Sequence, residues 1–108
     1  MKRGDIVIVR YAGSPASAAR PCVIVQRDGS LMGTPKLTVC PLTTRLGGDH
    51  ERRPHLDPTA SNGLREPCEV EVDWVFTHPI DRIGPVIGRL DPASMVAIDR
   101  ALRRWLQL

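Results

Sequence analysis

Arg20 stands directly before Pro21 and the run Cys22-Val23-Ile24-Val25, and Thr43 closes a second apolar run, Leu37-Thr38-Val39-Cys40-Pro41-Leu42-Thr43. An X-Pro step holds Arg20 extended and Pro21 lends no N–H to a ladder, so the pair opens a strand after a loop. A guanidinium on that rigid rim, beside a flexible loop, is placed to bind phosphate. Pro41 removes one ladder donor near the end of its own strand, which predicts a bulge or an edge there, and such ends re-aim side chains like Thr43 and Thr44. Each residue has a plainer alternative: Arg20 as partner of a nearby carboxylate, Thr43 as a β-former.

Other chemistries are poorly served. Cys22, Cys40 and Cys68 are odd in number and dispersed, as buried small hydrophobes are. His50, His55 and His78 make no pair at ligand spacing with them or with each other, so neither a metal site nor a Cys-His nucleophile is expected, and no cofactor.

The elements that must position these residues fit one domain spanning 1–108, with a single modest core. Fifteen Lys+Arg against twelve Asp+Glu leave a formal charge of +3, which permits nucleic-acid contact without demanding it. The start carries no stretch of signal-peptide type and no apolar run approaches spanning length, so a cytoplasmic location is expected. Four aromatic residues, two Trp, one Tyr and one Phe, look too few for a base-stacking platform.

Strands are predicted over Asp5–Tyr11, Pro21–Arg27 and Leu37–Thr43, with a short one within Pro54–Asp57. The second strand is too apolar to keep a face in water and should be buried on both sides. Asn62-Gly63 marks a turn. From Cys68 to Phe76 the residues alternate, with Cys68, Val70, Val72 and Trp74 toward a core and Glu69, Glu71, Asp73 and Val75 away from it. A helical turn at Ile80–Ile83 and a strand over Gly84–Leu90 follow. Asp91-Pro92 then pairs an N-cap with proline at the first helical position, opening an amphipathic helix whose stripe is Met95, Ile98, Leu102, Trp105 and Leu106. Short strands and one terminal helix predict a small antiparallel sheet, strongly bent or closed into a partly open barrel.

In this order the motifs resemble the MazF/PemK family of toxin endoribonucleases. The matching pieces are Lys2-Arg3-Gly4-Asp5-Ile6-Val7, Arg20-Pro21-Cys22-Val23-Ile24-Val25, Val39-Cys40-Pro41-Leu42-Thr43-Thr44, Asn62-Gly63-Leu64-Arg65-Glu66-Pro67, Val70-Glu71-Val72-Asp73 and Ile87-Gly88-Arg89-Leu90-Asp91. The resemblance covers nearly the whole chain. It implies an SH3-like, CcdB/PemK-like barrel, a homodimer, an antitoxin partner and sequence-specific cleavage of single-stranded RNA without a metal.

By the same resemblance Arg20 and Thr43 flank the scissile phosphate, and the products are a 2′,3′-cyclic phosphate and a 5′-hydroxyl. RNA carries its own nucleophile, the 2′-hydroxyl, which suits a chain without metal ligands. Ser14, Thr44, Arg45 and Asn62 are loop residues that either line the RNA groove or are simply solvated, with Arg45 the best placed, and Asp73 either contacts RNA or pairs with an arginine. Two positions depart from the family pattern. Ser14 occupies a place where some members carry histidine, and Trp74-Val75-Phe76 replaces residues that relatives commonly keep polar or basic. Two other functions stay open: a CcdB-like gyrase poison acting through the terminal helix and Trp105, and a degenerate relative that only binds RNA or antitoxin.

Overall fold

In the computed structural model, which describes residues 1–11, 18–30, 33 and 35–108, the apolar runs form seven strands and one α-helix. The strands are β1 (Asp5–Val9), β2 (Arg20–Ile24), β3 (Lys36–Thr43), β4 (His55–Leu56), β5 (Cys68–Val70), β6 (Phe76–Pro79) and β7 (Ile83–Arg89). The helix α1 spans Pro92–Leu106. All pairings are antiparallel, in the order β4-β5-β3-β2-β1-β7, with β6 also on β3. The result is a curled half-barrel sheet with one C-terminal helix.

Both faces of the central strands are buried, and strand alternation sorts their side chains into two clusters. Ile6, Val23, Cys40 and Leu42 join Val70, Val72, Ile98 and Ala101 under the helix. Their neighbours Val7, Val9, Cys22, Ile24, Leu37 and Val39 form a second cluster on the opposite face. The expected two-sided burial of β2 is what the molecule has.

Strand β3 is interior, where an edge or a bulge was expected. Its first half pairs with β6, Lys36 opposite Pro79 through Val39 opposite Phe76. Its end pairs with β5, Leu42 opposite Val70 and Thr43 opposite Glu69. The irregularity lies in the partner, because the three-residue 3-10 turn Val72–Trp74 is inserted between β5 and β6. Pro41 sits at that break, and its carbonyl still accepts from the N–H of Glu71 at 2.8 Å.

The same insertion overturns the single strand expected over Cys68–Phe76. It leaves Trp74 64% exposed, while Cys68, Val70 and Val72 lie in the core as their alternation predicts; Glu69, which precedes the insertion, is nevertheless only 1% exposed. Glu69 is tolerated inside because its Oε2 accepts from the backbone N–H groups of Gly47 and Gly48 at 2.9 and 3.0 Å. Burial pushes its pKa up, but those two donors, with His50 and Arg53 nearby, outweigh it and leave the carboxyl below its usual value.

The helix starts where the sequence puts it. Asp91 accepts from the N–H of Ser94 at 2.7 Å and Pro92 occupies the first turn. Ile98 and Ala101 are fully inside, and Met95 and Leu102 pack partly against them. Trp105 and Leu106, part of the expected stripe, are instead half exposed. Arg3 ties helix to sheet, donating to Asp99 at 2.6 Å and to the carbonyl of Val25 at 2.9 Å.

Candidate active site

Strand register brings the two candidate residues together. Cys22 pairs with Pro41, Val23 with Cys40 and Ile24 with Val39, and the same register carried two residues further sets Arg20 opposite Thr43. Both line a cavity of about 520 Å³ whose other walls include Thr44, Arg45 and Glu71. Thr43 Oγ1 accepts from the N–H of Arg45 at 3.1 Å, a local turn that fixes the hydroxyl while its own proton can still be donated.

Arg20 is partly open to solvent, its side chain 41% exposed. Its Nη2 donates to Glu71 Oε1 at 2.7 Å and to the Leu42 carbonyl at 3.2 Å. The plainer alternative for Arg20, an ion pair, is therefore present, and it does not remove the guanidinium from the cavity. Glu71 was placed by alternation on the solvent face. It is buried because the insertion at Val72–Trp74 turns it toward Arg20, a partner 51 residues away in sequence.

Behind Glu71 the charges alternate. Arg53 Nη2 lies 3.4 Å from Glu71 Oε2 and also binds Asp73 in a two-bond fork, Nε to Oδ1 and Nη2 to Oδ2, both at 2.9 Å. Arg52 adds a bond to Asp73 Oδ2 at 3.1 Å. The Arg53 bonds, with a second contribution from Arg52, hold the Asp73 carboxyl at about 2. The structure thus gives Asp73 its alternative role as an arginine partner and does not bring it to the cavity.

Asn62 is also placed elsewhere. It is 3% exposed, and it bonds within its own turn: Oδ1 accepts from the N–H groups of Thr59 and Leu64, and Nδ2 donates to the Asp57 carbonyl. A side chain so engaged shapes the turn and is not presented to RNA. Ser14 lies outside the described residues. Of the five candidate groove residues, Thr44 and Arg45 line the cavity with Arg20 and Thr43.

A second cavity, about 550 Å³, adjoins the first, and Arg20 and Glu71 line both. Its remaining walls are Tyr11, Ala18, Pro41, Trp74 and Phe76. Three of the chain's four aromatic residues therefore meet in one cleft, which a count of aromatics in the sequence did not anticipate. Tyr11 and Phe76 both rest on the ring of His78, with centroids 5.1 and 4.5 Å apart. Burial pushes the Tyr11 hydroxyl up to about 12 and lowers the pKa of His78.

A curled antiparallel half-barrel with one C-terminal helix is the fold of solved MazF toxins. The chain belongs to the family described as PemK-like, MazF-like toxins of type II toxin–antitoxin systems, whose model matches residues 2–106. It is 34% identical over 106 residues to a probable endoribonuclease MazF of Mycolicibacterium smegmatis, covering 98% of this chain and 96% of that one. It is 28% identical over 116 residues to endoribonuclease MazF9 of Mycobacterium tuberculosis, covering 100% and 98%. Among solved structures it is similar to the Mycobacterium tuberculosis toxin MazF-mt6, with a TM-score of 0.79, 28% identity and coverage of 96% and 97%. A mycobacterial endoribonuclease solved with its cognate antitoxin shares the fold at a TM-score of 0.79 and 24% identity, covering 100% of this chain and 96% of that one.

Proposed function

We propose that this chain is the endoribonuclease toxin of a toxin–antitoxin pair, and that it cuts single-stranded RNA at a phosphate held between Arg20 and Thr43. The 2′-oxygen attacks phosphorus and loses its proton, the bond to the 5′-oxygen breaks, and that oxygen gains a proton. The products are a 2′,3′-cyclic phosphate and a 5′-hydroxyl.

The observation that carries this reading is the convergence of Arg20 and Thr43 on one open cavity from register-matched strand ends. The relatives named as endoribonucleases support it. Charge grows on the non-bridging oxygens as the pentavalent transition state forms, and preorganised N–H and O–H donors bind that state more tightly than the ground state. Arg20 supplies a fixed positive charge and Thr43 a hydroxyl donor. The internal nucleophile needs alignment more than activation, which the rigid strand ends provide.

The protein works in the cytoplasm as a homodimer, and its antitoxin neutralises it by covering the groove. Incubation with a long unstructured RNA in EDTA, followed by mapping of 5′ ends, tests the reading. Discrete cuts are expected, and Arg20→Ala should lose about two to three powers of ten in rate while keeping its fold. Intact RNA, or an Arg20→Ala protein that cuts as well as the parent, overturns it; DNA breaks that depend on gyrase would assign the poison function instead.

A further inference from the structure

We propose that the cleft walled by Tyr11, Trp74 and Phe76 is a nucleobase subsite, in which the base next to the cut stacks while its phosphate lies on Arg20. The inference rests on the ribonuclease reading and adds a source of sequence preference to it.

The first ground is position. The aromatic cleft and the Arg20–Thr43 cavity share Arg20 and Glu71, so they are two ends of one groove. A nucleotide anchored by phosphate on Arg20 has its base within reach of the rings. The second is exposure against function: Trp74 is 64% and Phe76 57% exposed, although a chain of this size gains most by burying such rings. Isolated exposed apolar residues are ordinary, but here two large rings and Tyr11 flank one concave space beside a cation.

Rigidity is the third ground. Phe76 is held in β6 opposite Val39, and Trp74 ends the 3-10 turn, its N–H donating to the Glu71 carbonyl at 3.0 Å. The Phe76 and Tyr11 rings are backed by His78, which is 4% exposed. A volume of about 550 Å³ is in the range of small-ligand sites, roughly 300–1,000 Å³. Stacking tolerates every base yet favours those with the larger π-face, so the cleft would grade bases by stacking.

Trp74 becomes the sole tryptophan in a Trp105→Phe background, since the chain has two. The probe is a pool of random-sequence heptanucleotides methylated at every 2′-oxygen, which cannot be cut. Quenching of Trp74 emission by the pool is expected, whether or not cleavage is seen. On a cleavable RNA, Trp74→Ala and Phe76→Ala should each lower kcat/KM by about 5- to 100-fold and alter the bases found beside the cuts, with Trp74→Phe and Phe76→Tyr close to the parent.

Three results overturn the proposal: unquenched emission with unchanged cut sites and rates in the alanine variants; unchanged cleavage with lost neutralisation by antitoxin, which would make the cleft a protein-docking surface; and conversion of a dimer to a monomer in sedimentation, which would make it a self-association surface. A parent protein that quenches with the pool but cuts no RNA would keep the subsite and refute only the ribonuclease reading.

Discussion

Glu71 Oε1 takes the Nη2 of Arg20 at 2.7 Å while its other oxygen faces Arg53 at 3.4 Å, so the acid stands between the cavity's cation and a second one behind it. Such a carboxylate has two opposed effects on an anionic substrate. It orients the guanidinium, and on the proposed function it repels the phosphate of the RNA. Glu71→Gln keeps an acceptor for Arg20 and removes the charge. The expected outcome is a lower KM for RNA with kcat reduced on the order of tenfold, as orientation loosens. Steady-state kinetics on a defined oligonucleotide separate the two, and a raised KM with kcat unchanged would show that Glu71 serves binding only.

Asp73 should appear in the acid limb of stability. Its carboxyl is held at about 2 against an ordinary 3.8, first by the Arg53 hydrogen bonds. A depressed folded pKa gives stabilisation that is full above the unfolded value and is lost as pH falls through the folded one. The contribution is about 2 kcal/mol at neutral pH and disappears between about pH 4 and pH 2. Asp73→Asn should be less stable than the parent by about that amount in urea at pH 7, with the gap closing toward pH 2. A gap independent of pH would mean that packing, not charge, sets the loss.

Glu69 clasps the segment that follows the groove. Replacement by Ala removes the carboxylate that accepts from the N–H groups of Gly47 and Gly48, and a hydrogen bond to a charged group is worth about 1.5–3 kcal/mol. Amide exchange at Gly47 and Gly48 should accelerate far more than exchange in β1 or β2. Uniform acceleration would show that Glu69 supports the whole fold rather than this clasp.

Gly63 and Gly88 allow the Asn62 turn to lie on β7. Gly63 has φ +71°, and a Cβ there would come within 2.2 Å of the Ile87 carbonyl oxygen; one on Gly88 would meet the Asn62 backbone at 2.2 Å. Gly63→Ala and Gly88→Ala should each lower stability by at least about 1–3 kcal/mol in thermal or urea unfolding. Neither change touches a groove-lining residue. Unaltered melting would mean that the turn can lift from the strand freely.

Local patterns in the chain were enough for most of the scaffold. Asp91-Pro92 marks the helix start, the Val/Ile runs mark β1 to β3, and Arg20-Pro21 marks a strand rim whose arginine lines one cavity with Thr43. The apolar face of Cys68–Phe76 misled only at its end: Cys68, Val70 and Val72 are in the core as alternation predicts, but the inserted 3-10 turn leaves Trp74 outside. Glu69 and Glu71 look like solvent-facing acids because an alternating pattern does not show that the second face of the strand is covered as well. Their partners, Gly47, Gly48 and Arg20, are distant in sequence, and no local pattern announces them. The aromatic cleft was hidden likewise, since Tyr11 and Trp74 meet only through the curl of the sheet.

The cysteines offer one more use of this architecture. Cys22 and Cys40 lie at 0% exposure in opposite clusters, and burial raises their pKa values to about 11 and 12. A thiol so protonated and shielded is unreactive toward alkylating reagents until its surroundings part. The two sulfurs are therefore natural timers, one for each side of the sheet. The pace at which each is captured by a maleimide would tell whether the two halves of the interior come apart together or one ahead of the other.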